Sequence, residues 1–283
     1  MTPAELVRAY ARPNKKRLGQ HFLTQVGLLD RMVACIGDAV EVIEVGPGPG
    51  TLTTRLLAAG KRVRAVEIDR DAIAFLQEAF ADNPAFEVIE ADATKTILPQ
   101  LLTEGPRVLV GNLPYNVGNE ILFRAMEADD APDRMVLMFQ KEVAERIVCT
   151  GRSSQFSLLS VGVGNRYRAR IAFLVSAGAF VPPPKVASAV VVLDRLPAPL
   201  ASGETARWLR RLSAAAFGQR RKMMRSSLRS VVAAPEPLLL AAGISPTSRP
   251  EELEVADLVR LAVLAEASGL SAVVGEPIPE ADE

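Results

Sequence analysis

Val42-Ile43-Glu44-Val45-Gly46-Pro47-Gly48-Pro49-Gly50 reads as a strand running into a glycine-spaced loop, with a helix beginning near Thr51. Val42, Ile43 and Val45 favour a pleated, half-buried backbone, and glycine at alternate loop positions lets the main chain approach a ligand closely. Strand, glycine loop and helix in that order form the first crossover of an open α/β sheet, where such sheets hold small ligands. The spacing is Gly-x-Gly-x-Gly, not the Gly-x-Gly-x-x-Gly of dinucleotide sites, and two prolines stiffen it.

Working outward, residues 40–45, 62–68, 86–90, 107–111 and 134–140 are short runs rich in Val and Ile, separated by stretches of helical period. That alternation predicts a parallel sheet with crossover helices. Asp69 is a predicted helix N-cap, and helices are expected over Ala72 to Ala81, Gly118 to Met126 and Lys141 to Cys149. After Gly164 two longer β-like runs, 166–175 and 186–193, are expected to extend the sheet as an antiparallel edge. The Pro, Ser and Gly content of Leu196 to Gly203 marks a linker, and beyond it the chain is helical and Ala/Leu/Arg-rich to about Ala267. The expected organisation is a catalytic α/β domain over 1–195, a small helical domain over 204–267 and a flexible tail over 268–283.

Composition narrows the class. The two cysteines, Cys35 and Cys149, and the single histidine argue against a disulfide framework or a Cys/His zinc site, so no metal is expected. No apolar run approaches the roughly 18 residues of a membrane span, and Met1 to Tyr10 lacks a signal-peptide core, so a cytoplasmic protein with no membrane contact is expected. Lys plus Arg and Asp plus Glu are 33 each, but the charge is unevenly spread. Eight basic residues and no acid lie between Arg207 and Arg229, interleaved with Trp208, Phe217 and Gln219. Arg220, Arg221, Lys222 and Arg225 are therefore candidate RNA contacts, with Arg8, Arg12, Lys15, Lys16 and Arg17 as a second basic cluster.

Three acids, Glu44, Glu67 and Asp92, stand at the ends of three successive predicted strands. Glu67 is placed to accept from ribose hydroxyls and Asp92 from an adenine amine. A phosphate-binding lysine motif is absent, so the set suggests a nucleoside cofactor without a pyrophosphate, which points to S-adenosylmethionine. Gly111-Asn112-Leu113-Pro114-Tyr115 follows the strand-like run Arg107-Val108-Leu109-Val110. Asn112 and the Leu113 carbonyl offer acceptors for an exocyclic amine, Pro114 fixes the turn, and Tyr115 offers a ring on which a base can stack. Phe180, which opens Phe180-Val-Pro-Pro-Pro-Lys-Val-Ala-Ser188, is the candidate second ring. Methyl transfer to a nucleobase amine is the implied reaction, driven by localising the amine lone pair rather than by a strong base.

Together with Lys16-Arg17-Leu18-Gly19-Gln20-His21-Phe22-Leu23, Gln140-Lys141-Glu142-Val143-Ala144, Phe217-Gly-Gln-Arg-Arg-Lys222 and Arg249-Pro250-Glu251-Glu252-Leu253, these motifs resemble the KsgA family of small-subunit rRNA adenine dimethyltransferases. The resemblance runs from about Lys15 to Leu264. It implies a Rossmann-like S-adenosylmethionine-dependent methyltransferase domain, a small carboxyl-terminal helical domain that contacts RNA, and two adjacent dimethyladenosines near the 3′ end of 16S rRNA as product. By the same resemblance, Gln20 and Leu23 close over the cofactor's amino-acid end, with His21 beside them. Gly46 and Gly48 line it, Glu67 holds the ribose, Ile68 packs on the adenine, Asp92 binds its amine, and Asn112 touches both ligands. A monomer acting on 16S rRNA within the small ribosomal subunit is the expectation. His21, Pro49 and Ala187 stand where many members have Asn, Leu and Asp. Two alternatives stay open: a 23S rRNA adenine methyltransferase of the macrolide-resistance type, and a ribosome-assembly factor acting mainly by binding.

Overall fold

A computed structural model describes residues 1–10, 21–96, 98, 107–127 and 131–269. The elements in chain order are α1 (Pro3–Tyr10), β1 (Phe22–Leu23), α2 (Val26–Ile36), β2 (Glu41–Val45), α3 (Thr51–Ala58), β3 (Arg62–Glu67), α4 (Arg70–Ala79), β4 (Phe86–Glu90), β5 (Val108–Asn112) and α5 (Gly118–Glu127). They continue as β6 (Arg134–Gln140), α6 (Lys141–Val148), α7 (Leu158–Arg166), β7 (Tyr167–Val175), β8 (Phe180–Val181), β9 (Ser188–Arg195), α8 (Gly203–Gly218), α9 (Met224–Ser227), α10 (Pro235–Ala241) and α11 (Val255–Ala267). The chain divides into two compact units, Met1–Ala144 with Ala169–Arg195, and Glu145–Arg168 with Leu196–Glu283.

The first unit is built on a seven-stranded sheet ordered β4-β3-β2-β5-β6-β9-β7. All five residues of β2 are buried, as expected for a central strand covered on both faces. From β2 the chain steps outward through β3 to β4 and then returns to place β5 on the other side of β2, every pairing from β4 to β6 being parallel. That reversal is the topological switch point, and it sets the loop after β2 beside the loop after β5 at the carboxyl edge. A Cβ on Gly111 would meet the Val45 carbonyl oxygen at 2.7 Å, so only glycine lets β5 approach β2 this closely. The antiparallel extension occurs as expected: β9 pairs with β6 from Arg134↔Asp194 to Gln140↔Ser188. The Asp69 carboxylate accepts the Asp71 N–H and so caps α4, which begins at Arg70, two residues before the expected start. The short strands β1 and β8 pair antiparallel, with Leu23 opposite Phe180.

The second unit is helical. Its core gathers Phe156, Trp208, Leu212, Leu228, Leu258 and Ala262. Sequence reading assigned Glu145–Arg168 to the catalytic domain, but this segment packs with the helices after Leu196. The cause is local. Phe156 is fully buried in the helical core, Asn165 exchanges hydrogen bonds with the Ala201 backbone, and Gly164 passes so near Val255 that a Cβ there would lie 2.9 Å from its side chain. Among the described residues no helix is long and apolar enough to cross a membrane.

Candidate active site

A cavity of about 390 Å³ opens at the switch point, lined by the loops that follow β2, β3, β4 and β5 together with His21 and Phe22. Its size falls within the roughly 300–1,000 Å³ common for small-molecule sites. Of the predicted residues it gathers His21, Glu44, Gly46, Glu67, Ile68, Asp92, Asn112, Leu113, Pro114 and Tyr115. Gln20 lies outside the described residues.

Glu67 ends β3 and is buried. Its Oε1 accepts the N–H groups of Ile68 and Asp69 at 2.9 Å each, and Oε2 accepts that of Gly48 at 3.2 Å. Burial raises its proton affinity while these three donors lower it. A carboxylate offers about four acceptor positions, so roughly one remains for a ligand. Two ribose hydroxyls exceed that spare capacity, which narrows the expectation for this residue. Gly48 itself does not line the cavity; it holds Glu67, at a φ of 53° and with Phe22 only 2.7 Å from where a Cβ would sit.

Glu44 is fully buried and accepts from the Thr53 hydroxyl at 2.7 Å. Burial pushes its carboxyl up to about 8, with the Thr53 bond opposing and the nearby Glu67 charge adding. Asp92 behaves oppositely: the Thr94 hydroxyl and N–H, at 2.6 and 3.0 Å, hold it below the usual carboxylate range, and Lys95 Nζ lies 3.2 Å from its other oxygen. Ile68 is 60% exposed, an apolar surface at the lip of the cavity that a flat ring can cover.

Across the cavity, Asn112 Nδ2 donates to the His21 carbonyl at 2.8 Å, which fixes the amide plane. Among the described residues nothing donates to Asn112 Oδ1 or to the Leu113 carbonyl. The Pro114 carbonyl accepts from Val117 N–H at 3.3 Å, closing the turn into α5. Tyr115 is half-buried; its hydroxyl lies 2.6 Å from Ser188 Oγ and its ring stacks on His21. Burial raises the phenol's proton affinity, so it stays neutral near pH 7.

Besides Gly48, two predicted residues are not brought to the cavity. Phe180 is 2% exposed and packs with Val175, Ala179 and Val190 in the sheet core; Leu23, opposite it, is also buried there. The β1–β8 pairing turns both side chains inward, so the expectation of a second stacking ring at Phe180 and a cofactor contact at Leu23 is not met in this geometry. Sequence reasoning passed over Phe22, Thr51, Thr94, Asn116 and Glu120, which line the cavity. The only signal was position, since all but Glu120 lie within or beside a motif in the chain.

In the second unit Arg220 also departs from expectation. It pairs with Glu251 at 3.0 Å and donates to the Ser154 carbonyl, so two of its donors tie the helical unit together. Trp208 is buried in the core and Phe217 packs edge-on against Phe156, so neither is a stacking platform. Arg221, Lys222 and Arg225 are exposed and make no ion pair among the described residues. Arg8 donates to the Ala4 carbonyl, and Arg12, Lys15, Lys16 and Arg17 lie outside the described residues.

Sheet order and cavity together define a Rossmann-like methyltransferase domain joined to a helical unit. Residues 11–266 match the model of the family described as ribosomal RNA adenine dimethylase, and the chain belongs to that family. It is 46% identical over 266 residues to a protein of Afipia carboxidovorans named Ribosomal RNA small subunit methyltransferase A, covering 91% of this chain and 93% of that one. Among solved structures, a dimethyladenosine transferase from Plasmodium falciparum superposes with a TM-score of 0.73 at 24% identity, covering 88% of this chain and 99% of that one. The 23S rRNA methyltransferase ErmE superposes with a TM-score of 0.67 at 25% identity, covering 87% and 99%.

Proposed function

We propose that this chain dimethylates the exocyclic amines of two adjacent adenosines near the 3′ end of 16S rRNA in the small ribosomal subunit, with S-adenosylmethionine as methyl donor. The small-subunit reading is favoured over the 23S type by the high identity to the small-subunit enzyme against 25% to the 23S one. It is favoured over a purely binding factor by the assembled cavity, whose polar groups are already oriented.

The residues present fit the donor. Glu67 offers one remaining acceptor position to a ribose hydroxyl, Ile68 an apolar face to an adenine, and Asp92 an anionic acceptor to its amine. When bound, the donor supplies an electrophilic methyl on a sulfonium. The protein's own contribution is orientation. An adenine amine is a poor nucleophile because its lone pair is delocalised into the ring. Accepting the amine's hydrogens at Asn112 Oδ1 and the Leu113 carbonyl, two in the first transfer and the one that remains in the second, favours the pyramidal nitrogen that attacks and then sheds a proton to solvent. Tyr115 provides a stacking surface that offsets part of the few kcal/mol spent on extracting the base, stacking contributing roughly 1 to 3 kcal/mol.

The observation that carries this reading is the Asn112 amide, whose donor end is committed to the His21 carbonyl and whose acceptor end is left for substrate. The decisive experiment incubates the protein with methyl-labelled donor and unmethylated small subunits, large subunits or DNA, then maps the modified nucleotide. Label confined to large subunits would return the 23S reading; label nowhere, despite donor binding, would favour the assembly-factor reading.

A further inference from the structure

His21 is the only histidine in the chain, and it touches three separated motifs. Its carbonyl receives Asn112 Nδ2; its Nδ1 lies 2.8 Å from the Pro182 carbonyl; its ring stacks on Tyr115 with centroids 5.8 Å apart and planes at 29°. A carbonyl oxygen only accepts, so Nδ1 carries the hydrogen, which sets the tautomer and the plane of the imidazole. The centroid separation lies within the roughly 4.5–7 Å of directly paired rings, so no third ring fits between His21 and Tyr115. The far end of Tyr115 is held as well, its hydroxyl against Ser188, which is fully buried at the start of β9.

We propose that His21 is a positioning residue of the target-base site: its imidazole covers one face of Tyr115 and fixes that ring, so that the target adenine is received on the opposite face. This rests on the assignment of Tyr115 as the base-stacking residue. With Phe180 in the core, the second ring expected from the sequence is not at the cavity, and His21 defines by exclusion where a base goes. A ring held at its hydroxyl and on one face presents the other face without ordering cost when the base arrives. The same residue fixes the Asn112 amide through its backbone, so stacking surface and hydrogen-bond acceptor are set in one frame.

Three variants separate the contributions. His21→Phe keeps a flat ring but cannot donate to Pro182, His21→Gln keeps an amide donor without a ring, and His21→Ala has neither. Single-turnover methylation of saturating small subunits is measured alongside donor affinity by calorimetry and thermal stability. The expected result is a ten- to hundredfold loss of rate for Ala, the scale of an ångström-size misplacement. His21→Phe should lose severalfold less, with donor affinity within about twofold of wild type throughout. Wild-type rates in His21→Ala or His21→Gln overturn the proposal. So does a loss of donor affinity as large as the loss of rate, which would make His21 a cofactor contact. Tyr115→Ala is run in parallel: wild-type turnover there removes the base-stacking reading itself, whereas an inactive Tyr115→Ala beside a fully active His21→Ala removes only the role given to His21.

Discussion

The cavity of the first unit and the basic segment of the second treat charge in opposite ways. In the cavity every predicted acid is already held: Glu67 by three backbone N–H groups, Glu44 by Thr53, Asp92 by Thr94 and Lys95. In the basic segment Arg221, Lys222 and Arg225 stand in solvent with no ion pair among the described residues, while Arg207, Arg220 and Arg229 pair with Glu204, Glu251 and Glu236. A small ligand recognised atom by atom gains from groups fixed before it arrives, because ordering and reorganisation are already complete. A polyanion recognised by its phosphates gains chiefly from released counterions, for which mobile exposed cations suffice. Held acids and exposed cations thus suit two kinds of partner.

The strongest way to break this comparison is at Asn112. Asn112→Ala should lower single-turnover methylation by about a hundredfold or more, the scale of losing one oriented hydrogen-bonding group, while subunit affinity stays within a few-fold. A near-wild-type rate would remove the held-polar-group argument. Next is Glu67→Gln. An amide cannot accept the three N–H bonds as a carboxylate does, so donor affinity should fall by roughly ten- to hundredfold, as expected for hydrogen bonds to a charged group at about 1.5 to 3 kcal/mol. Calorimetry checks it, and an unchanged dissociation constant takes Glu67 out of the donor site.

The contrast sharpens within the basic segment itself. Neutralising Arg221, Lys222 and Arg225 together should flatten the salt dependence of subunit binding by about 2 log-log units, at about 0.7 per single-strand phosphate contact, with melting temperature unchanged. Arg220→Ala should do the reverse, lowering melting temperature through loss of Glu251 and Ser154 and leaving the salt slope nearly intact. Parallel salt lines for the triple variant would make those cations a solvated face.

The last test concerns Glu44, whose folded carboxyl is pushed up to about 8 by burial against an ordinary value of 4.5. A raised folded value means that the folded state binds the proton more tightly. The associated stability is therefore fully present below pH 4.5 and is lost as pH rises through 8. Glu44→Gln should remove that decline, at most about 1.4 kcal/mol per pH unit across the window. Denaturant melts of both proteins between pH 5 and 8 test it, and parallel pH profiles would show Glu44 ionised throughout.

The sheet was legible because its strands are short Val/Ile runs whose ends coincide with glycine or acid, a pattern the hydrophobic period exposes directly. Asn112, Glu67 and Asp92 were legible for the same reason: a strand's carboxyl end is a position that the sequence itself marks. Phe180 and Leu23 were not, because which face of a two-residue strand turns inward depends on a partner far along the chain. Arg220 looks like its neighbours in sequence and differs only in having Glu251 within reach after folding. The assignment of Glu145–Arg168 failed likewise, since the contacts that draw it to the helical unit, Gly164 with Val255 and Asn165 with Ala201, are long-range.

The pairing of β1 with β8 also bears on how the protein is made. His21 and Pro182 are 161 residues apart, and Asn112 reaches back 91 residues to the His21 carbonyl. Contacts of such separation form late, because the intervening chain must first be closed into a loop. During synthesis, at about 5–20 residues per second, a chain halted before Phe180 holds the glycine loop and all three acids yet lacks the strand that seats His21. The residues expected to hold the donor are therefore synthesised several seconds before the strand that seats His21.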